Sequence, residues 1–405
     1  MKFTSTHRMA VAASAIIVLA LTGCTSSGSE GASGSGESDT GTVRIGINES
    51  LSGNLVAYGI SASAAIRMAA EEINDAGGIQ VDGVSYSIEL VERDNLSTPT
   101  GAVAAQTELV EDEGIKFIFG PTIGALSLQS VEIGKGQDVI QLSPSGAWQV
   151  SGYVSNPDYP YVFSTQVAQD ELAVVRVDLI EQIGADVVGL LGSDDDTTAG
   201  TVPPIQAELE KRGIEVVDVR FPTDASDLSP YLTRLKSEGA DVVFYVYPQA
   251  RGAEAARITA DLGAAKGFVT TNTPASVALE EAVGGPLPIP WASAYGTPSF
   301  EYPANERIEA FTEKILAFEP KLPLDVASAV FWFYDYVAML AEAMEQAGSV
   351  EDVPAIAEAL QSITYDGVAG RICYRENERI PSADIGSVFV VDGEVESKNT
   401  PSSCD

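Results

Sequence analysis

The sequence predicts an α/β protein of two comparable lobes, each built from βαβ units around a parallel sheet. Three observations carry this expectation. Short β-branched runs alternate with helix-period stretches from residue 42 onward. The alternation breaks off after residue 143 and starts afresh beyond 159. A chain of 405 residues is long enough for two domains with separate cores.

In the first half, Val43, Ile45 and Ile47 alternate as a strand. From Gly59 the period changes, with Ala62, Ile66, Ala69 and Ile73 at helical spacing until Gly77-Gly78 ends the helix. "YSIELVERD" (86–94) reads as the next strand, and 98–114 as a helix with Pro99 in its first turn. "KFIFG" (116–120) is a buried strand, 122–135 a helix and "DVIQLS" (138–143) another strand. After "YPYVFST" (159–165) come helix 169–183, strand 186–192, helix 200–213, strand 214–221, helix 227–238, strand 241–247, helix 251–263 and strand 267–271. Beyond "IPWASAYG" (289–296) the chain turns helical: Val326, Val330, Phe333, Val337, Leu340 and Met344 step along one face as a core stripe. Tyr365 to Val395 reads as short strands and turns.

Composition narrows the function. Lys and Arg number 23 against 58 Asp and Glu, so a nucleic-acid partner is not expected, because neutralising phosphates requires a basic surface. Lys2 and Arg8 precede an apolar stretch too short to span a bilayer comfortably, which ends in Leu21-Thr22-Gly23-Cys24. That ending resembles the lipobox of bacterial lipoproteins and implies cleavage of residues 1–23 and a lipid on Cys24. A flexible Gly/Ser linker follows over 24–41. The protein is then expected to be tethered at the extracytoplasmic face of the cell membrane. The chain's one histidine, His7, lies in the leader, so Ser-His-Asp and Cys-His catalysis, HExxH zinc sites and imidazole bases are not expected in the remainder. With Cys24 lipidated, Cys373 and Cys404 are left to pair with each other in an oxidising exterior, pinning the C-terminal tail onto the second lobe. No metal site, catalytic residue or cofactor is expected.

Ligands of open α/β sheets sit beyond the carboxyl ends of the strands. In the first lobe these are "ESLSGNLVAYG", "GPTIGA" (120–125) and "SPSGAW" (143–148); in the second, "GSDDDTTAG" (192–200), "YPQAR" (247–251) and "TTNTPAS" (270–276). Two such rims describe a cleft. "LSGNLVAYG" does not match the dinucleotide pattern G-x-G-x-x-G, and Gly134-Lys135 has Gln129 where a Walker A loop needs glycine. The expected ligand is therefore a small organic molecule, with backbone amides of the first loop holding any anionic group and Tyr58 covering it. Arg251 either forks onto a ligand carboxylate or pairs with Glu254. Asp194, Asp195 and Asp196 either meet a cation or serve the helix entry before Thr197.

The set "SLSGNLVAYG", "AAEEINDAGGI", "GPTIGALS", "LSPSGAW", "DVVFYVYPQARGAEAARITADLG" and "FYDYVAMLAEAMEQAG" resembles the branched-chain amino-acid type of ABC-transporter substrate-binding protein over residues 42–395. The resemblance implies a type I periplasmic-binding-protein fold, two Rossmann-like lobes joined by three hinge crossings. These fall near Phe163–Thr165, Ala294–Gly296 and Tyr365–Ala369. Lobe 1 then comprises 42–163 and 296–365, and lobe 2 comprises 164–295 and 366–405. The family's ligand-loop tyrosine matches Tyr58. Its serine after the third strand falls at Gly124, flanked by Thr122 and Ile123. The group after the Ser-Pro dipeptide falls at Ser145, with Gly146 next and Ala147 where Ser or Thr is usual. In the second lobe Thr197 stands at the frequent aromatic, Tyr247 and Arg251 line the rim, and Asn272 or Thr273 stands where the family places an acid. The implied activity is capture of an amino acid, amide or small carboxylate by a monomer and delivery to an ABC permease. A tethered sensor of the same fold and, further off, a carboxylate-based hydrolase are the alternatives.

Overall fold

The computed structural model describes residues 40–246, 248, 251–263, 265–271, 284–294, 296–324 and 329–404. The leader, Cys24, the linker up to residue 39, Tyr247, Asn272, Thr273 and Val326 lie outside the described residues.

The first sheet contains β1 (Thr40–Glu49), β2 (Ile79–Val81), β3 (Val84–Asp94), β4 (Phe117–Phe119), β5 (Ile140–Ser143) and β6 (Val162–Ser164) in the order β2-β3-β1-β4-β5-β6. β1, β3, β4, β5 and β6 are parallel. β2 folds back antiparallel on β3. Asp82 and Gly83 both take positive φ in its two-residue turn, the type I′ geometry that Asp-Gly favours. The second sheet contains β7 (Val187–Ser193), β8 (Glu215–Phe221), β9 (Val242–Tyr245), β10 (Gly267–Thr270) and β11 (Trp291–Ala294), with β15 (Ile385–Val391) and β16 (Glu394–Thr400) added at one edge. β7 to β11 run parallel. β15 and β16 run antiparallel, joined by a second Asp-Gly turn at Asp392-Gly393.

Residues 364–383 do not simply extend the second lobe. They form a separate antiparallel sheet of β12 (Thr364–Asp366), β13 (Arg371–Tyr374) and β14 (Pro381–Ala383). This sheet lies against the first crossing: Ser164 donates its amide to Arg379 and Ala168 donates to Pro381. Cys373, on β13, is bonded to Cys404 with Cα atoms 5.6 Å apart. The disulfide thus ties the tail beyond β16 to the small sheet, not to the body of the second lobe.

The helix Val56–Asp75 begins before Gly59. Gly59 sits inside its first turn because a Cβ there would fall 2.1 Å from the carbonyl oxygen of Ser50. Thr98 caps the helix Pro99–Thr107, its Oγ1 accepting the amide of Gly101 at 3.0 Å. The helix Ala329–Ala347 returns to the first lobe and packs along Val56–Asp75. Its stripe of Val330, Phe333, Val337, Leu340 and Met344 is buried. Glu72 accepts from Lys314 Nζ (2.5 Å) and Tyr334 Oη (2.9 Å), joining Val56–Asp75 to the helices Glu306–Phe318 and Ala329–Ala347. An apolar core continues through Phe163 and Val167 at the first crossing to Val188 and Val242 in the second sheet.

Candidate functional site

Each sheet reverses its strand order once. In the first, β1 lies between β3 and β4; in the second, β7 lies between β8 and β9. Loops diverge at such points and leave a crevice beyond the strand ends. The loop after β4 carries Thr122, Ile123 and Gly124, all half-buried. The loop after β5 carries Ser145, buried, and Gly146, which opens the short helix Gly146–Val150 containing Ala147. Thr197, exposed, stands at the start of the helix Asp196–Lys211 after β7. The helices Gly124–Ser130 and Gly146–Val150 of the first lobe pack against Asp196–Lys211 of the second. The structure therefore brings the two helices that Gly124 and Gly146 open against the helix whose first turn holds Thr197. Tyr58 lies half-buried in the first turn of Val56–Asp75, on the loop that follows β1.

The first loop differs from the expectation that its amides hold an anion. Asp94 Oδ1 accepts the amides of Leu51 (3.0 Å), Ser52 (3.2 Å) and Leu96 (2.9 Å). Ser97 Oγ accepts the amide of Leu55 at 3.1 Å and donates to the carbonyl of Ser52 at 2.5 Å. Leu51, Ser52 and Leu55 thus direct their amides at the β3 end, and the loop is held by side chains that no motif marked. Below it lies a buried polar chain. Asn48 Nδ2 donates to Gln106 Oε1 (2.9 Å), Gln106 Nε2 to Gln141 Oε1 (2.9 Å), and Ser50 Oγ to Asn95 Oδ1 (2.8 Å). Sequence reasoning missed these groups, although Asn48 and Gln141 stand out as polar residues inside apolar strands.

Glu49 ends β1 and pairs in register with Asp94 on β3. It is 1% exposed. Thr122 Oγ1 donates to its Oε1 over 2.7 Å. Burial pushes the Glu49 carboxyl up to about 8, against the opposing pull of the hydroxyl and amide of Thr122 and the amide of Ser50. Asp94 goes the other way. Its burial favours the neutral form, but the hydroxyl of Ser52 and the amides of Leu96, Leu51 and Ser52 hold it below the ordinary carboxylate range.

Ser145 Oγ accepts from Ser127 Oγ at 2.7 Å, so it is tied to the interior of its own lobe. A Cβ at Gly146 would fall 2.8 Å from Gln166 Oε1, so a side chain there would displace that glutamine's amide. Gln149 joins this helix to the first crossing, donating to Ser164 Oγ (3.1 Å) and the Gln166 carbonyl (2.8 Å).

On the second rim, Asp195 caps the helix that follows, accepting the Thr198 amide at 2.9 Å and the Ser193 hydroxyl. Of the two readings of the aspartates, helix entry describes Asp195, while Asp194 is exposed. Arg251 does not present its fork to the crevice. Its Nε and Nη2 bind the two carboxylate oxygens of Glu254 at 2.8 and 2.9 Å, and Nη1 donates to the Ala225 carbonyl at 2.5 Å. Of the two readings of Arg251, the pair with Glu254 is the one the structure shows: an acid three residues along occupies the fork. Among the described residues no group of three or more His, Cys, Asp or Glu is placed to hold a metal ion.

The family model for "Periplasmic binding protein" matches residues 42–394. The chain belongs to the periplasmic binding protein family. Among curated relatives, the Leu/Ile/Val-binding protein BraC3 of Rhizobium johnstonii is 26% identical over 353 residues, covering 84% of this chain and 89% of that protein. A leucine-, isoleucine-, valine-, threonine- and alanine-binding protein of Pseudomonas aeruginosa is 24% identical, covering 85% and 88%. Among solved structures, the leucine-binding protein LivK of Thermotoga maritima superposes with a TM-score of 0.70 at 22% identity, covering 88% of this chain and 97% of its own. A solute-binding protein of an ABC transporter from R. palustris, solved with 4-hydroxybenzoate, gives a TM-score of 0.73 at 20% identity, covering 90% and 97%. The fold is thus the type I periplasmic-binding-protein fold, and membership of this family makes the chain an extracytoplasmic solute-binding protein of the ABC-transport type. No helix of the described residues is long and apolar enough to cross a membrane.

Proposed function

We propose that this periplasmic binding protein captures one small polar organic solute (an amino acid, an amide or a small carboxylate) between its lobes and delivers it to an ABC permease. The observation that supports this most is the meeting of the two lobes, where the helices Gly124–Ser130 and Gly146–Val150 of one pack against Asp196–Lys211 of the other. The strand ends at two topological switch points define its place. Relatives named for branched-chain amino acids and structures solved with hydroxybenzoates make both classes first candidates.

The protein acts as a monomeric carrier without catalysis. After His7 the sequence offers no imidazole base, and its acidic balance disfavours nucleic acid. Cleavage before Cys24 and lipidation there tether it to the outer face of the cell membrane through the linker ending near residue 41. A thermal-shift screen of amino acids, amides, small carboxylates and amines on the mature chain tests the reading. A true solute at a hundred times its Kd stabilises by about 2.7 kcal/mol. A flat response across all four classes contradicts it. Cys24→Ser tests the anchor: the variant is expected unprocessed or released from the membrane, and normal processing with retention contradicts the assignment.

A further inference from the structure

The third crossing hangs between the two lobes by its backbone. Residues 367–370 form a tight turn in which Gly367 and Gly370 each donate an amide to the other's carbonyl, at 2.9 and 3.3 Å. Ala369 lies inside this turn, 1% exposed. Its amide donates to Asp335 Oδ2 at 3.0 Å, on the helix Ala329–Ala347 of the first lobe. Its carbonyl accepts from Asn399 Nδ2 at 3.1 Å, on β16 of the second sheet. One residue is thus held from both sides. Val368 adds a second amide to the acid, reaching Oδ1 over 2.8 Å.

Asp335 is fully buried. Tyr334 and Tyr336 of its own helix and Tyr365 of β12 lie within reach of its charge, and burial holds all three phenols well above their ordinary range, neutral around pH 7. Tyr374 of β13 bonds Tyr336 and is raised likewise. The cation that acts on the acid is Arg307, exposed on the helix Glu306–Phe318. Both carboxylate oxygens find their hydrogen bonds in the crossing itself. A proton on either oxygen turns an acceptor into a hydroxyl and weakens one of the two bonds. Burial raises the carboxyl to about 7, so that this proton is exchanged near neutral pH.

We infer that Asp335 is a proton-controlled latch on lobe movement: ionised, it holds the third crossing in the arrangement in which the two rims meet, and protonated, it lets the crossing slacken toward an open form. The inference rests on the proposed capture of a solute between the lobes and gives that capture a dependence on pH. Both amides engage the acid in the same structure in which Gly124–Ser130 and Gly146–Val150 pack on Asp196–Lys211. An ionised carboxylate favours the state that offers it two N–H donors over one that offers fewer. Closure therefore lowers the proton affinity of Asp335, and solute binding tightens as pH rises through about 7. A difference of about one pKa unit between the two states changes affinity by up to about tenfold.

Two measurements on the mature chain test this. Amide hydrogen exchange needs no solute: at pH 8, Val368 and Ala369 are expected to exchange about fivefold more slowly in wild type than in Asp335→Asn, and at pH 6 alike. Titration calorimetry uses leucine and 4-hydroxybenzoate, which keep their charges between pH 6 and pH 8. Wild type is expected to bind about three- to tenfold more tightly at pH 8 than at pH 6, and Asp335→Asn equally at both. Glu49, whose carboxyl burial carries to about 8, is intact in that variant. A slope that survives there belongs to Glu49 and overturns the inference. Asn399→Ala frees the crossing from the second lobe while leaving the acid and its two amides in place, and is expected to reduce the slope. It serves if Asp335→Asn fails to fold. Equal exchange at pH 8, or wild-type affinity that is flat or falls as pH rises, overturns the latch. If neither probe binds, the capture of these two solute classes fails, and the exchange result alone upholds or overturns the latch.

Discussion

The carboxylate of Asp335 accepts the amide hydrogen of Val368 over 2.8 Å. A second bond, from Ala369 at 3.0 Å, completes a clamp by which the helix Ala329–Ala347 of the first lobe grips the third crossing. Gly367 lies against the carboxylate so tightly that a Cβ would fall 2.4 Å from it. The acid is fully buried, and burial pushes it up to about 7 although the two amides and Arg307 favour its charged form. A carboxyl raised in the folded state contributes stability that is present below its unfolded value, about 3.9, and is lost as pH rises through about 7. Asp335→Asn removes that titration. Relative to wild type, the variant should therefore gain stability between pH 4 and pH 8, by a few kcal/mol at most. Urea unfolding of both proteins across that range measures it, and parallel curves contradict it.

The Cys373–Cys404 bond closes a separation of 31 residues. Chain entropy assigns such a loop about 3–4 kcal/mol. Cys404→Ser should lower stability by that order and open the segment after β16 to proteolysis while the two large sheets stay folded. Thiol labelling of the unreduced, denatured wild type should find neither cysteine. Two reactive thiols in protein from an oxidising compartment contradict the bond.

Arg251 separates two accounts of the rim. With its guanidinium held by Glu254 and the Ala225 carbonyl, Arg251→Ala should leave solute affinity within about twofold. Its side chain is 21% exposed and that of Glu254 is 32%. Solvent screening limits the stability cost to about 1 kcal/mol. A selective loss of affinity for carboxylates on this substitution returns Arg251 to the ligand.

Asp94 makes the ligand loop rigid by collecting three of its neighbouring amides. Asp94→Ala should leave Leu51, Ser52 and Leu96 without that acceptor; Ser52 and Leu96 are exposed and can turn to water, so the cost is about 1 kcal/mol. Amide hydrogen exchange is expected to accelerate at Leu51 and Ser52 first, with weaker solute binding as the loop loses its order. Unchanged exchange there contradicts the role.

Local chemistry carried most of the fold into the sequence. Strand–helix alternation placed the parallel strands, and the apolar stripe from Val330 to Met344 placed a buried helix. The two Asp-Gly turns, at 82–83 and 392–393, mark hairpins in a way that is legible beforehand, yet β2 escapes notice because it is three residues long. The short strands and turns after Tyr365 were legible, but their pairing into a sheet of their own that rests on the first crossing was not, since no local pattern encodes which sheet a short strand joins. The site divides in the same way. Rim loops follow from strand ends, so Thr122, Gly124, Gly146 and Thr197 could be singled out. Which amides are free does not follow: Asp94 and Ser97 engage those of the first loop from β3 and its following turn, across some 42 residues of chain. Glu49 has no motif at all, and its character depends on the burial that Gly120 and Thr122 impose.

The central claim is that one solute lies between Tyr58 on one rim and Thr197 on the other. Calorimetric titration of the solute that most raises the melting temperature, against wild type, Tyr58→Ala and Thr197→Trp, tests it most directly. The account predicts one site per chain. Loss of the Tyr58 ring should cost about 1–3 kcal/mol, or five- to a hundredfold in Kd, and the indole at exposed Thr197 should weaken binding by obstructing the crevice while the fold persists. Affinity unchanged in both variants contradicts it.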